Sequence, residues 1–193
     1  MKEQAKEQTQ PQGIVNGINV DELFGTIDAI KNQPELAKFQ FRASNKWVNG
    51  SNNRTTINGL YGAGQEHERE NPFVLEKDEP QVLLGTDRGA NPVEYALTAL
   101  AGCLTTTLVC FAAAQGIELN EVESKFEGDA DLRGFLGLDE NVRNGCDNIR
   151  ITFNIKSDAP KEKIEELVEL AQNRSGVFDM LANKVPISVE LAS

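Results

Sequence analysis

Cys103 is the side chain in this sequence best placed to do chemistry. It closes the run Asn91-Pro92-Val93-Glu94-Tyr95-Ala96-Leu97-Thr98-Ala99-Leu100-Ala101-Gly102-Cys103, in which Glu94 carries the only charge. A thiol held deep in such a helix is either small apolar filler, its pKa raised by desolvation, or a nucleophile whose thiolate some neighbour stabilises. Its own helix dipole gives little help in mid-helix. A thiolate there therefore calls for a cation from elsewhere in the fold, and Arg54, His67 and Arg69 are the candidates. His67 is the single histidine and lies in Gln65-Glu66-His67-Glu68-Arg69-Glu70. It reads either as base or proton carrier for that thiol, or as a solvated residue of an acidic stretch.

The remaining cysteines, Cys110 and Cys146, read as structural. Cys110 shares a helical face with Cys103 but lies about 10 Å further along the axis, beyond the separation of about 7 Å that a disulfide tolerates between Cα atoms. Cys146 falls at a loop–strand junction, where a contact with Cys103 stays open. Three widely spaced cysteines are not a disulfide framework and fit a reducing compartment. One histidine and no Cys-x-x-Cys pair argue against a zinc site. There is neither a Walker-type loop nor Gly-x-Gly-x-x-Gly, so no metal, flavin or nucleotide is implied. A Ser-His-Asp triad has nothing local to support it.

The elements that must position Cys103 come next. A chain of 193 residues suffices for one domain, or for a subunit that shares its core with a partner. The formal net charge of -11 argues against nucleic acid and against anionic membrane surfaces. Met1-Lys2-Glu3-Gln4-Ala5-Lys6-Glu7 lacks the apolar stretch of a signal peptide, so a cytoplasmic protein is expected. Residues 1–17 are polar and are expected to be disordered. From Asn19, the spacing of Val20, Leu23, Phe24, Ile27 and Ile30 predicts an amphipathic helix that Pro34 interrupts.

Three strands are predicted after it: one around Phe39–Ala43, a return strand from Arg54 to Leu60 beyond an Asn49-Gly50 hairpin turn, and a third from Gln65 to Leu75 that Pro72 weakens. The long helix is well specified. Asn91 can cap it, Pro92 suits its first turn, Glu94 completes a capping box and Gly116 stops it. Its threonines and the absence of basic flanks favour a core helix over a membrane span. Strand alternation recurs at Glu121–Ala130 and Asn148–Ile155, on either side of a loop holding Gly134, Gly137 and Gly145. Ile164, Leu167, Val168 and Ala171 then predict a helix, Phe178–Leu181 a short one, and Val185, Ile187, Val189 and Leu191 a last strand on a sheet edge, as Pro186 suggests. The expected class is α+β, with antiparallel sheets around one buried helix. Residues 1–36 are read as an N-terminal extension and 37–193 as the domain.

Over residues 37–192 this chain resembles the OsmC/Ohr superfamily, the osmotically inducible protein C and organic hydroperoxide resistance proteins. The likeness rests on Leu84-Gly85-Thr86-Asp87, on the stretch from Asn91-Pro92 to Ala101-Gly102-Cys103, and on Ser175-Gly176-Val177-Phe178. Tyr61-Gly62-Ala63-Gly64-Gln65-Glu66-His67 and Asp131-Leu132-Arg133-Gly134 resemble a branch distinct from the well-studied peroxidases. The resemblance implies an intertwined homodimer with two long helices at its centre and sites at the subunit boundary; the N-terminal helix is then free to clasp the second subunit.

It also implies that Cys103 attacks a small organic hydroperoxide and becomes a sulfenic acid. In that family a second cysteine resolves the sulfenic acid, and an arginine, held by a glutamate, lowers the thiol's pKa. Ser175 stands at the second cysteine's place and cannot form a disulfide. Arg54 best matches the arginine. The glutamate's place after Asn-Pro is Val93, and Glu94 comes one residue later. Ser175 then reads as a pocket residue beside Cys103 or as a helix cap, and Glu94 as a cap or as a carboxylate of the site. The expected activity is one-cysteine peroxide reduction with an external thiol reductant. The alternatives are a binding protein holding a small hydrophobic ligand, and a thiol-based redox sensor.

Overall fold

A computed structural model describes residues 11–192. They fall into two units, Asp21–Ala96 and the remainder. The elements in chain order begin with β1 (Ile14–Val15), β2 (Ile18–Asn19) and α1 (Val20–Asn32), followed by β3 (Gln40–Phe41), β4 (Ser44–Asn49), β5 (Asn52–Ile57), β6 (Leu60–Gly62), β7 (Gln65–His67) and β8 (Phe73–Lys77). After these come α2 (Pro92–Ala114), β9 (Glu121–Ala130), α3 (Leu132–Phe135), β10 (Cys146–Lys156), α4 (Lys161–Arg174) and α5 (Gly176–Ala182). Every strand pairing is antiparallel.

Within Asp21–Ala96, the expected Asn49-Gly50 hairpin joins β4 to β5, and β8 completes a sheet in the order β4-β5-β8. Gly50 takes φ 54°, and the Trp47 indole N–H fastens the turn by donating to the Gly50 carbonyl at 2.9 Å. The other predicted strands are cut shorter than their patterns suggested. The return strand stops at Ile57 and resumes as β6 in a second sheet, β3-β6-β7; between them Gly59 packs so close to β7 that a Cβ there would come 2.9 Å from the His67 carbonyl oxygen. The third strand divides into β7 and β8, with Pro72, which has no N–H to give a ladder, just before β8.

Asp78 is the hub of this unit. It is 1% exposed, and each oxygen accepts more than one hydrogen bond. Oδ1 takes the Ser51 hydroxyl at 2.5 Å and the Glu79 N–H at 2.9 Å; Oδ2 takes the Thr86 N–H at 3.1 Å, the Thr86 hydroxyl at 2.5 Å and the Arg88 N–H at 3.4 Å. The β4–β5 turn is thereby tied to the loop Leu84-Gly85-Thr86-Asp87. That loop runs through the left-handed region at Leu84 (φ 64°) and Asp87 (φ 56°), and a Cβ on Gly85 would fall 1.7 Å from the Glu79 carbonyl oxygen. The hydroxyls of Ser51 and Thr86, then the amides, hold the Asp78 carboxyl far below the usual carboxylate range, despite its burial.

In the remaining unit, part of the stretch expected to be disordered is folded. Residues 1–10 lie outside the described residues, but β1 and β2 form a hairpin on Asn16 (φ 52°) and Gly17 (φ 78°), the positive-φ pair of a type I′ turn. The Asn16 side chain donates to the Ile117 carbonyl at 2.8 Å and accepts from the Leu119 N–H at 2.9 Å, which stitches the hairpin to the turn after α2.

α2 opens with the expected capping box. The Asn91 N–H donates to Glu94 Oε2 at 2.7 Å, and the Glu94 N–H to Asn91 Oδ1 at 2.9 Å. It closes at Gly116 (φ 68°), where the Gly116 and Ile117 amides cover the carbonyls of Ala113 and Ala112. Leu100, Leu104, Leu108 and Ala112 recur every fourth residue and are buried. By length and composition α2 is also apolar enough to cross a membrane.

β9 and β10 pair along their lengths, with Ile151 opposite Phe126 and Phe153 opposite Ser124 on one face and Lys156 bonded to Glu121 at 2.5 Å on the other. The predicted last strand does not form. Residues 183–192 have no regular structure, and Ile187, Val189 and Leu191 are 84, 92 and 99% exposed. A strand exists only through its ladder, and among the described residues this segment pairs with no edge.

Asp78→Asn should lower the melting temperature by several degrees, since the amide cannot accept from the same five donors. The carboxylate's contribution is fully present above the ordinary carboxylate pKa and is lost as pH falls through its depressed folded value. That loss begins near the ordinary carboxylate pKa and grows below it, so thermal unfolding followed from pH 7 to pH 2 should show a shallower acid limb in the variant; identical limbs would contradict the hub role.

Candidate functional site

Cys103 sits in the middle of α2 and is half-buried, less enclosed than the apolar run around it suggested. Desolvation pushes its thiol up. The Ser175 hydroxyl, the N–H groups of Val177 and Gly176, and the Thr107 hydroxyl pull it down, and together they prevail: the thiol lies below its ordinary pKa. The donors that favour the thiolate are therefore all neutral.

Each donor is placed by an identifiable local rule. The Ser175 N–H ends α4 by donating to the Ala171 carbonyl at 2.9 Å. Its Oγ caps α5 by accepting the Phe178 N–H at 3.2 Å. Because that oxygen is the acceptor in the cap, its own proton remains free to point at sulfur. Ser175 is 1% exposed, so little water competes. Gly176 and Val177 supply the first amides of α5, which have no acceptor within their helix. Thr107 lies one turn beyond Cys103, and its hydroxyl donates to the Cys103 carbonyl at 2.7 Å. It has one proton, so carbonyl and sulfur share it in turn.

The expected site residues thus divide. Cys103 and Ser175 are brought together, and the Ser175 side chain both hydrogen-bonds the sulfur and caps α5. Glu94 has its carboxylate committed to the Asn91 N–H in the capping box. Arg54 lies on β5, opposite Glu76 on β8, with which it pairs at 3.7 Å. His67 lies on β7, and its Nε2 is 3.0 Å from the Gly62 carbonyl oxygen. A carbonyl can only accept, so Nε2 carries a proton. Arg69 donates to the Asn58 carbonyl and stands over the Phe73 ring at 5.2 Å.

Cys110 and Cys146 are free thiols. The Cys146 sulfur borders Gly128, at 3.1 Å from where a Cβ would stand. Among the described residues no group of three or more His, Cys, Asp or Glu side chains is arranged to hold a metal ion.

The search for a cation overlooked Thr107, Gly176 and Val177. Two signals pointed to them: an i, i+4 spacing from Cys103 to Thr107, and a serine heading a short helix, which leaves that helix's first amides unpaired.

A profile of OsmC-like proteins matches residues 85–190, just over half of the chain. The chain belongs to the OsmC-like protein family. Among solved structures, the OsmC-like protein from Mycoplasma pneumoniae is similar, with a TM-score of 0.56 and 19% identity over 74% of this chain and 87% of that one. A Psychrobacter arcticus protein named for osmotic stress induction and detoxification response gives a TM-score of 0.53 and 12% identity over 72% of this chain and 87% of that one. At these identities the likeness is one of fold. No curated protein matches the sequence.

In this OsmC-like chain Cys103 should alkylate with iodoacetamide at pH 7 well before Cys110 and Cys146, as peptide mapping would show. Ser175→Ala should slow that reaction roughly five- to tenfold, the loss of one hydrogen bond to an ionised group. Equal rates at the three thiols would contradict the donor arrangement.

Proposed function

We propose that this OsmC-like protein reduces organic hydroperoxides through a single cysteine, Cys103, with an external thiol as reductant. The observation that carries the reading is the set of neutral donors around the Cys103 sulfur, which holds the thiol below its ordinary pKa despite desolvation. The thiolate attacks one peroxide oxygen; the S–O bond forms, the O–O bond breaks, and the departing alkoxide takes a proton to leave as alcohol. Cys103 is then a sulfenic acid. A thiol attacks its sulfur, water leaves and a mixed disulfide remains. A second thiol releases the disulfide of the reductant and restores the Cys103 thiol. Ser175 takes no part in resolution. It keeps the hydrogen bond that lowers the thiol's pKa. In the same reading Arg54 stabilises developing charge and His67 carries the proton.

The proposal includes a homodimer. Only 28% of the most apolar window of α2 is buried inside the chain, and the alternating apolar residues from Val185 to Leu191 are exposed. Surface of that kind is covered in a stable soluble protein, and a second copy supplies an edge and a matching helix.

The test is consumption of cumene hydroperoxide with a dithiol reductant. Wild type should turn over, and Cys103→Ser should lose activity to background. Arg54→Gln and His67→Gln should each lower kcat/KM by roughly 10²-fold if they act as read. No turnover in wild type would overturn the peroxidase reading and favour a ligand-holding role for the pocket. For the dimer, sedimentation should give twice the chain mass, and Ile187→Asp with Val189→Asp should shift it to monomer. A stable wild-type monomer would refute the dimer.

A further inference from the structure

Asn-Gly occurs four times in this chain, at Asn16-Gly17, Asn49-Gly50, Asn58-Gly59 and Asn144-Gly145. The pair has a chemistry of its own. The glycine nitrogen can attack the asparagine side-chain carbonyl carbon and close a five-membered succinimide, and glycine, having no Cβ, leaves that approach open. Closure needs the nitrogen and the side chain on the same side of the asparagine Cα–C bond. Extended and left-handed backbones both set them apart, so the fold decides which pair reacts.

Three of the four are held. Asn16 has φ 52°, and its side chain is bonded at both ends, to the Ile117 carbonyl at 2.8 Å and to the Leu119 N–H at 2.9 Å. Asn49 is extended in β4, in register with Asn52, and the Trp47 indole grips the Gly50 carbonyl at 2.9 Å. The Asn58 carbonyl accepts from Arg69, and Gly59 is wedged against the His67 carbonyl oxygen, 2.9 Å from where a Cβ would stand.

Asn144-Gly145 differs from these. It lies in an exposed bend just before β10, outside any ladder. Among the described residues neither the Asn144 side chain nor the Gly145 N–H has a hydrogen-bond partner. Nothing lies within 4 Å of where a Cβ on Gly145 would stand, and Gly145 does not use a left-handed φ.

We propose that Asn144 is a site of spontaneous covalent modification. The Gly145 nitrogen bonds to the Asn144 side-chain carbon, the bond from that carbon to its NH₂ breaks, and ammonia leaves with the proton of the Gly145 amide. Water then opens the succinimide at one or other carbonyl, giving aspartate or isoaspartate. No electrons are transferred, and water is the only co-reactant. Either product adds a carboxylate just before Cys146, where β10 begins, in a chain whose net charge is already -11. Isoaspartate also lengthens the backbone there by a methylene. The site is independent of the Cys103 reaction.

The experiment incubates the full chain at pH 8, folded and in guanidinium chloride, and follows all four asparagines by peptide mapping. The folded protein should lose the Asn144 amide first, roughly tenfold or more ahead of Asn16, whose side chain must give up two hydrogen bonds before it can react. In denaturant the spread among the four rates should shrink, since the fold no longer separates them. Gly145→Ala, at an open position, should keep the melting temperature and slow the reaction of the folded chain. Conversion of Asn16, Asn49 or Asn58 as fast as Asn144 in the folded chain would overturn the proposal. So would an Asn144 amide that survives while the unfolded chain is converted, an equal spread of rates in denaturant, or a Gly145→Ala variant that reacts at the wild-type rate.

Discussion

A sulfur set halfway into an apolar helix needs hydrogen-bond donors if its thiol is to lie below its ordinary pKa, and the construction of the site follows from that constraint. The backbone of α2 cannot help its own Cys103, since every amide in mid-helix is committed to the carbonyl four residues back, and the helix contributes only the Thr107 hydroxyl. The other donors come from the break between α4 and α5, where one serine ends the first helix and caps the second. A helix break is the place where backbone N–H groups are unpaired and fixed in direction. The side chain that creates this break is the one that faces the thiol.

This arrangement changes what a serine at position 175 means. Considered as a lost cysteine, it removes the means of forming an internal disulfide. Considered with its hydrogen bonds, it is a donor of the right length, buried, and held by the Phe178 N–H so that its proton is directed away from the cap. The donors that lower the thiol's pKa are all neutral. The thiolate's stabilisation therefore depends on fixed dipoles in a partly desolvated place, and is less exposed to screening by salt than a surface ion pair is.

Local chemistry was legible wherever the signal lay within a few residues. The capping box at Asn91 and Glu94, the Asn49-Gly50 turn, the stop at Gly116 and the alternation of β9 and β10 were read correctly because each is a short-range rule. Asn16-Gly17 carries the same turn signal as Asn49-Gly50, but its short apolar flanks, Ile14-Val15 and Ile18, follow directly on a Gln- and Glu-rich stretch that masks them. The last strand was wrong in the other direction. Alternation of Val185, Ile187, Val189 and Leu191 states a preference, and pairing needs an edge that these residues do not supply themselves.

By itself the sequence determined the α+β class, the long apolar helix with its two ends, and the thiol at the helix centre. Periodicity, caps and turns follow from neighbours along the chain. Only the tertiary structure decided what Cys103 meets. Ser175, Gly176 and Val177 lie more than 70 positions away, and no local rule connects them to α2. Nor could the sequence show that Asp78 closes a loop onto a hairpin turn while the Asn144 side chain is left without a partner among the described residues. Hydrogen-bond satisfaction is a property of the folded arrangement, because each donor and acceptor is judged by what else is within about 3 Å of it.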